Sequence, residues 1–401
     1  MTDTDTVRVS PDAAAPSRPR LRYAALVMMT LTSFSLVSAE FLPNGLLTDM
    51  AADLGVTPGQ AGQTVTVTAF VGLVAAPTIG LIVPRADRRS LLAVLAAAAA
   101  VSNLAVAVAP ELWIILVSRI LLGAAISGFW AMSLTVSMRI AGPAQLGRAV
   151  MFTTAGVSLA TVAGVPIGVL LSSIADWRTV FVVAGVVTAG VALGLRILLP
   201  PVPAEKATRL ADLFDTLRRP GLALGLLGHV LIVFGHVTAY TYIRLALERV
   251  MIDGRPIDET GIILMLALFG AGGLIGNVVT GGLVDQHTRI LSAAVPLLVA
   301  ASILVALISS GSAWVFGAAV FVWGAAFGGW LIVLNAWIGR QAPDRLESGG
   351  ALVVVGFQFA IVVAAGIGGL IVDLGGVLPA YAVAAISSGV GTVLFVAAAR
   401  R

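Results

Sequence analysis

The chain has 401 residues, 59% of them hydrophobic and 11% charged. Soluble domains carry about 25% charged residues, so this composition excludes a soluble enzyme and a disordered chain, and a net charge of +4 does not mark a nucleic-acid binder. No cysteine and three histidines exclude structural disulfides and cysteine-held zinc and leave little for a metal site, so no cofactor is expected.

A helix that crosses a bilayer needs about 20 apolar residues. Twelve such stretches follow one another, at 23–47, 61–83, 91–109, 112–138, 149–173, 178–199, 222–245, 260–284, 290–310, 312–338, 350–372 and 379–399. Backbone polar groups in lipid must be satisfied internally, so these are helices, spans 1 to 12 of an all-α membrane protein. Pro84–Arg85, Gly142–Pro143, Asp176–Trp177–Arg178 and Ala342–Pro343–Asp344 mark turns between them. Residues 1–22 read as a polar tail. Arg18 to Arg22, the apolar run after them and Val37-Ser38-Ala39 imitate a secretion signal. Cleavage there would leave eleven spans and reverse the C-terminus against the charge bias, so the first helix is expected to stay.

With the N-terminus in the cytoplasm, 19 of the 24 Lys and Arg residues fall on the inner side, and only Arg178, Arg249 and Arg255 on the outer. Arg119 and Arg244 lie within spans. The bias predicts a multi-pass membrane protein with both termini cytoplasmic. The longest break, 200–221, has three early prolines and then mixed charges. It reads as a cytoplasmic linker with an amphipathic surface helix between six-span bundles at 23–199 and 222–401. An offset of 201 residues aligns Gly80 with Gly281, Arg88 with Arg289, Gly123-Ala124-Ala125 with Gly324-Ala325-Ala326, Gly128 with Gly329, Arg139 with Arg340 and Gly168 with Gly369. One offset holding across four spans predicts parallel repeats with a binding site between the halves.

Twelve spans in two repeats around a long middle loop resemble the major facilitator superfamily. Its loop after span 2 reads roughly G-x-L-x-D-x-x-G-R-R. The second half has Gly281-Gly282-Leu283-Val284-Asp285 and then Arg289; the first half has Gly80-Leu81-Ile82-Val83-Pro84 and then Asp87-Arg88-Arg89, with Pro84 where the family has an acid. Arg119 followed by Gly123 in span 4 is similar to the family's second motif. Gly164-Val165-Pro166-Ile167-Gly168 in span 5 is similar to the motif of its drug/proton antiporter group. Ala39-Glu40-Phe41-Leu42-Pro43, Asp53-Leu54-Gly55, Val67-Thr68-Ala69-Phe70, Gly128-Phe129-Trp130-Ala131-Met132 and Trp177-Arg178 extend the resemblance to bacterial purine ribonucleoside efflux pumps and their sugar- and drug-efflux relatives. The resemblance implies a conformational gate at Asp87, Arg88, Arg89, Asp285, Arg289, Gly164, Pro166 and Gly168, with the first-half latch incomplete at Pro84.

Glu40 is the only acid inside a span, roughly 24 Å across from the inner end of span 1. A bare carboxylate at that depth is costly, so it either carries a proton or snorkels to the outer surface near Pro43. Arg119 is predicted at a similar depth and cannot shed its charge. It is either the partner of Glu40 or an anchor for helix carbonyls. Trp130 lies three turns beyond Arg119 on one face, and Trp323, Trp330 and Trp337 repeat every seven residues in span 10. Trp130, Trp323 and Trp330 could stack on a nucleobase or simply pack, whereas Trp337, Trp113, Trp177 and Trp314 read as membrane-interface aromatics. His229, His236 and Tyr240 share one side of span 7; the histidines are about 10 Å apart, too far to share a metal. His236, Tyr240 and Gln358 complete the candidate substrate site, with Asn335 a further hydrogen-bonding group and Asn103 a helix-to-helix bond. Gly164-x-x-x-Gly168, Gly272-x-x-x-Gly276 and Gly324-x-x-x-Gly328 read as seams on which helices slide.

These readings predict a monomeric transporter in the lipid bilayer, with a small-molecule substrate and protons as its partners and no nucleic acid. Its function is proton-coupled efflux of a small organic solute by alternating access, purine ribonucleosides first. Efflux of drugs or sugars, and an uncoupled facilitator or importer, are the alternatives. A membrane enzyme or channel fits less well, with one intramembrane acid and no phosphate loop.

Overall fold

The computed structural model describes residues 22–56, 58–204, 210–252 and 254–400. The expected tail at 1–22 lies, but for Arg22, outside the described residues. The described chain is helical apart from one two-stranded hairpin, Met251–Ile252 against Arg255–Pro256, between spans 7 and 8. The spans are Tyr23–Gly45, Pro58–Ile82, Arg88–Val108, Leu112–Ala141, then span 5 in three parts, then Trp177–Leu198, Leu222–Thr241, the double helix of spans 8 and 9, Ala313–Gln341, Leu346–Gly375 and Val377–Ala399. Span 5 runs through Leu146–Leu159, a wider π-helical turn at Ala160–Gly164, and Val165–Ile174.

Spans 8 and 9 are one helix, Glu259–Ile308, of 50 residues. At 1.5 Å per residue that is about 75 Å, more than twice a hydrocarbon core. Non-helical torsions at His287 (φ −121°, ψ 26°) bend it. The break expected at 285–289 is therefore a kink and not a loop. Among the described residues, eleven helices are long and apolar enough to cross a membrane; the bent one is long enough for two crossings, which would make twelve.

The turn chemistry explains the boundaries. Asp87, Asp176 and Asp258 cap spans 3, 6 and 8 by accepting from the N–H groups of Ser90, Thr179 and Gly261. Gly142 ends span 4 at φ +73°, a torsion a side chain disfavours, and Pro143 follows. Outward faces remain apolar: Val108, Ile174 and Leu374 are each at least 77% exposed. Trp113 and Trp314 are exposed near span starts, as expected for interface aromatics. Trp177 and Trp337 are not. Trp177 is buried with its indole N–H donating to Asp53, and Trp337 packs on Gly225 and Phe395.

The repeat is visible in how the halves meet. Span 5 lies against spans 8 and 10, and its repeat mate, span 11, lies against spans 2 and 4. Between the halves the linker forms a short helix, Leu210–Leu217. Its buried Leu213 packs with Ala131 of span 4 and Ala351 of span 11. Asp212 pairs with Arg345, and Arg219 with Asp344 at 2.5 Å.

Candidate functional site

The end carrying Arg85, Arg139 and Arg340 is held closed by bonds that cross from one half to the other. Asp285 sits at the N-terminus of span 5. It accepts from the Gly147 N–H at 2.7 Å on Oδ1 and the Arg148 N–H at 3.3 Å on Oδ2, and the helix dipole favours an acid there. Gly147 has no room for a side chain, because Val284 and Asp285 fill that space. Arg340 donates to the Asp285 carbonyl at 2.9 Å.

Pro84, the repeat mate of Asp285, cannot accept in this way. The first half closes with the opposite polarity. Glu347 lies in the first turn of span 11 and takes a bidentate grip on Arg88, at 2.5 Å to Nε and 2.6 Å to Nη2. Arg88 is wholly buried, and its Nη1 donates to the carbonyls of Val83 and Ala86. Asp87 serves its own half, capping span 3 and accepting from the Val202 N–H at 2.8 Å. Arg89 lies 3.8 Å from Asp87. Arg289 is exposed and forms no ion pair among the described residues, so its expected gate role is not met in this state.

Two polar bridges cross deeper between the halves. Gln358 of span 11 donates to the Ala69 carbonyl of span 2 at 3.1 Å. It passes over Gly72, where a Cβ would lie 2.7 Å from its Nε2 and 2.5 Å from the Oγ of Ser127. Asn277 of span 8 donates to Thr154 of span 5 at 2.5 Å. The Asn277 Oδ1 and the Ser127 Oγ are buried without a partner among the described residues. Sequence reading singled out Gln358 but passed over Asn277, Thr154 and Glu347. A lone amide in an apolar span was the available signal for Asn277. Asn335 bonds back to Leu331 of its own helix.

Glu40 is half-buried in span 1. The span-5 glycines hold this turn from behind: Gly164 packs on Ser38 and Gly168 on Leu42, each with no room for a side chain. A two-residue step turns a helix by about 200°, so Glu40 projects away from span 5. The side chain of Pro166 lies outside the described residues. Arg119 is buried and not ion-paired to Glu40. Its Nη1 donates to the Asn103 Oδ1 at 3.2 Å and its guanidinium lies 5.1 Å from the Phe181 ring centre. Its Nε and Nη2 have no acceptor among the described residues. The expected Glu40–Arg119 pair is absent in this state, and Asn103 provides the helix-to-helix bond.

The aromatic readings divide. Trp323 and Trp330 are wholly buried. Their indole N–H groups donate to the Nδ1 atoms of His236 and His229, at 3.1 and 3.2 Å. The two heptad spacings thus form two rungs joining spans 7 and 10. His229 also donates from Nε2 to the Val353 carbonyl at 3.2 Å, which fixes one neutral tautomer. His236 stacks on Phe327 and lies beside Tyr240 and Phe269. Neither indole offers an open face in this state, which corrects the stacking expectation for both. Tyr240 keeps 38% exposure and Trp130 is half-buried; they remain available to a ligand. The glycines of spans 8 and 10 face each other as a close-packed seam. Gly272 and Gly276 meet the backbone of Phe321 and Ala325, and Gly324 and Gly328 that of Phe269 and Gly273, all inside the second half.

Two helical halves, joined at one end by an ion pair and helix-end hydrogen bonds and bridged by amides deeper in, have the arrangement of a membrane transporter. The chain belongs to the Major Facilitator Superfamily, whose sequence pattern matches residues 29–348. It is similar to the purine ribonucleoside efflux pump NepI of Salmonella typhimurium (strain LT2) and of Salmonella paratyphi C (strain RKS4594). Identity to each is 32% over 359 residues, 90% of this chain and 89% of the relative. Among solved structures it resembles FucP in the outward conformation (TM-score 0.74, 15% identity, 94% of this chain and 97% of that one). It also resembles the human organic anion transporter MFSD10 (TM-score 0.73, 14% identity, 95% of this chain and 100% of that one).

Proposed function

We propose that the protein exports purine ribonucleosides in exchange for protons, by alternating access, as a monomer in the bacterial inner membrane with both termini in the cytoplasm. The substrate class follows the likeness to the efflux pumps. The nineteen basic residues that the sequence assigns to one side of the spans support the orientation. The observation that carries the coupling is the buried Arg119 with two donors unused. A buried guanidinium calls for an anion, and Glu40 is the only acid in the interior of a span. In the state closed at the basic end, Glu40 is free to take a proton from outside. When the protein opens inward, Glu40 releases the proton and turns to the idle donors of Arg119. Neutralising Glu40 removes the cost of carrying a charge through the closing cavity. One proton entering across about 100 mV and one pH unit supplies about 3.7 kcal/mol, enough for a gradient of a few hundredfold in an uncharged solute.

The test is uptake of a radiolabelled purine nucleoside into everted vesicles, with and without a protonophore. Wild type should accumulate it only with a proton gradient. Glu40→Gln should lose accumulation while keeping substrate binding and downhill exchange. Accumulation unaffected by the protonophore would favour the uncoupled facilitator, and full uphill transport by Glu40→Gln would move the coupling group elsewhere.

A further inference from the structure

Arg289, freed from the gate, lines a second site. A cleft of about 370 Å³ opens at the basic end between spans 9 and 12. Its walls are Arg289, Ile290, Ser292 and Ala293 on one side, Val396 and Arg400 on the other. Neither arginine forms an ion pair among the described residues, and no acid lines the cleft. Two like charges sharing one partly apolar cleft repel each other, and an anion between them reverses the sign of that interaction.

The surroundings identify the anion. Ile290, Leu297 and Leu304 recur every seven residues along one face of span 9, and Ile386 and Val393 lead by the same step to Arg400 on span 12. These apolar residues are all at least 49% exposed. Two greasy tracks therefore run from the arginines toward the middle of the bilayer. An arginine pair at headgroup depth, heading two tracks for hydrocarbon chains, matches a phosphodiester with two acyl chains. Basic pockets between spans at the cytoplasmic surface suit acidic headgroups.

We propose that this cleft binds an anionic phospholipid, its phosphate held by Arg289 and Arg400 and its chains lying along the tracks of spans 9 and 12. The site faces lipid and is separate from the path between the halves. A soluble phosphate could use the two arginines but not the tracks.

The test is native mass spectrometry of the full chain in detergent, titrated with phosphatidylglycerol or phosphatidylcholine. Arg289→Gln with Arg400→Gln should bind phosphatidylglycerol about 30-fold more weakly than wild type, near fivefold per charge. Phosphatidylcholine binding should not change. A control pair of exposed arginines at the same end, Arg139→Gln with Arg196→Gln, should stay within about twofold of wild type. Excess inorganic phosphate should not displace the lipid. Undiminished phosphatidylglycerol binding in the site variant, an equal loss in the control pair, or ready displacement by inorganic phosphate would each overturn the proposal.

Discussion

At the scale of single residues, burial decides between binding and packing. Trp330 is wholly enclosed, holds His229 by a hydrogen bond and touches Phe395. Trp330→Ala leaves a cavity and an unsatisfied imidazole, a loss of about 3–5 kcal/mol. Thermal unfolding of the purified variant should occur at distinctly lower temperature, with a lower yield. Trp130→Ala, at a half-buried ring, should unfold near wild type and instead weaken nucleoside binding; the reverse ranking would return Trp330 to the substrate site. Arg88 and Glu347 form the other decisive pair. Removing one partner of a buried ion pair costs about 3–5 kcal/mol, and here the cost falls on the closed state alone. The chain has no cysteine, so a thiol introduced at Ala351 is the only one to label. Arg88→Gln should raise its labelling from the basic end at least about tenfold, and the exchange Arg88→Glu with Glu347→Arg should restore part of the protection. No change in labelling would remove the pair from the gate. The deficit at Pro84 was legible in the sequence. The compensation at Glu347 was not, because it lies 259 residues along the chain from Arg88 and its partner is set by how the halves dock.

At the scale of elements, the linker helix acts as a wedge. Leu213 fills the space between one span of each half, so inward opening must withdraw it. Leu213→Ser should increase labelling at Ala351 with little effect on thermal stability. The Arg219 guanidinium beside Asp344, by hydrogen bond and charge, holds that carboxyl below the usual carboxylate range. A depressed value means the tether is intact above about pH 4 and is lost only as pH falls further. Asp344→Asn should therefore leave the shape of the transport profile between about pH 5 and 8 unchanged. A profile flattened by this variant would place the pH response in the linker and not at Glu40. The spans themselves were readable because lipid demands unbroken apolar helices. The bend at His287 was not, because the apolar pattern falls away around Asp285–Arg289 in the same way for a kink as for a loop.

At the scale of the whole molecule, the repeat explains the docking. Spans 5 and 8 meet as spans 11 and 2 do, and the offset of 201 residues already paired them. The repeat did not foretell that the two copies would close with opposite polarity, or that the paired histidines and tryptophans of spans 7 and 10 would be spent on each other. Heptad spacing gives the shared face of a helix but not which neighbour covers it.

Span 5 touches both partners in the proposed cycle. Below Ala160 it carries Gly147, Arg148 and Thr154 against Asp285 and Asn277 of the other half. Above it, Gly164 and Gly168 clasp the turn of span 1 that bears Glu40. Between these stretches lies the π turn, Ala160–Gly164, a looser winding that holds one surplus residue. It makes the span a crankshaft with two throws set at an offset. The turn has already taken up one surplus residue, so an alanine inserted after Val157, in the evenly wound stretch below it, should rotate one throw against the other by about 100°. The rod would still cross the membrane, so the protein should insert and bind nucleoside. Its throws would be out of phase: proton entry at one end would no longer turn the latch at the other, and vesicles should show a proton leak with no accumulation.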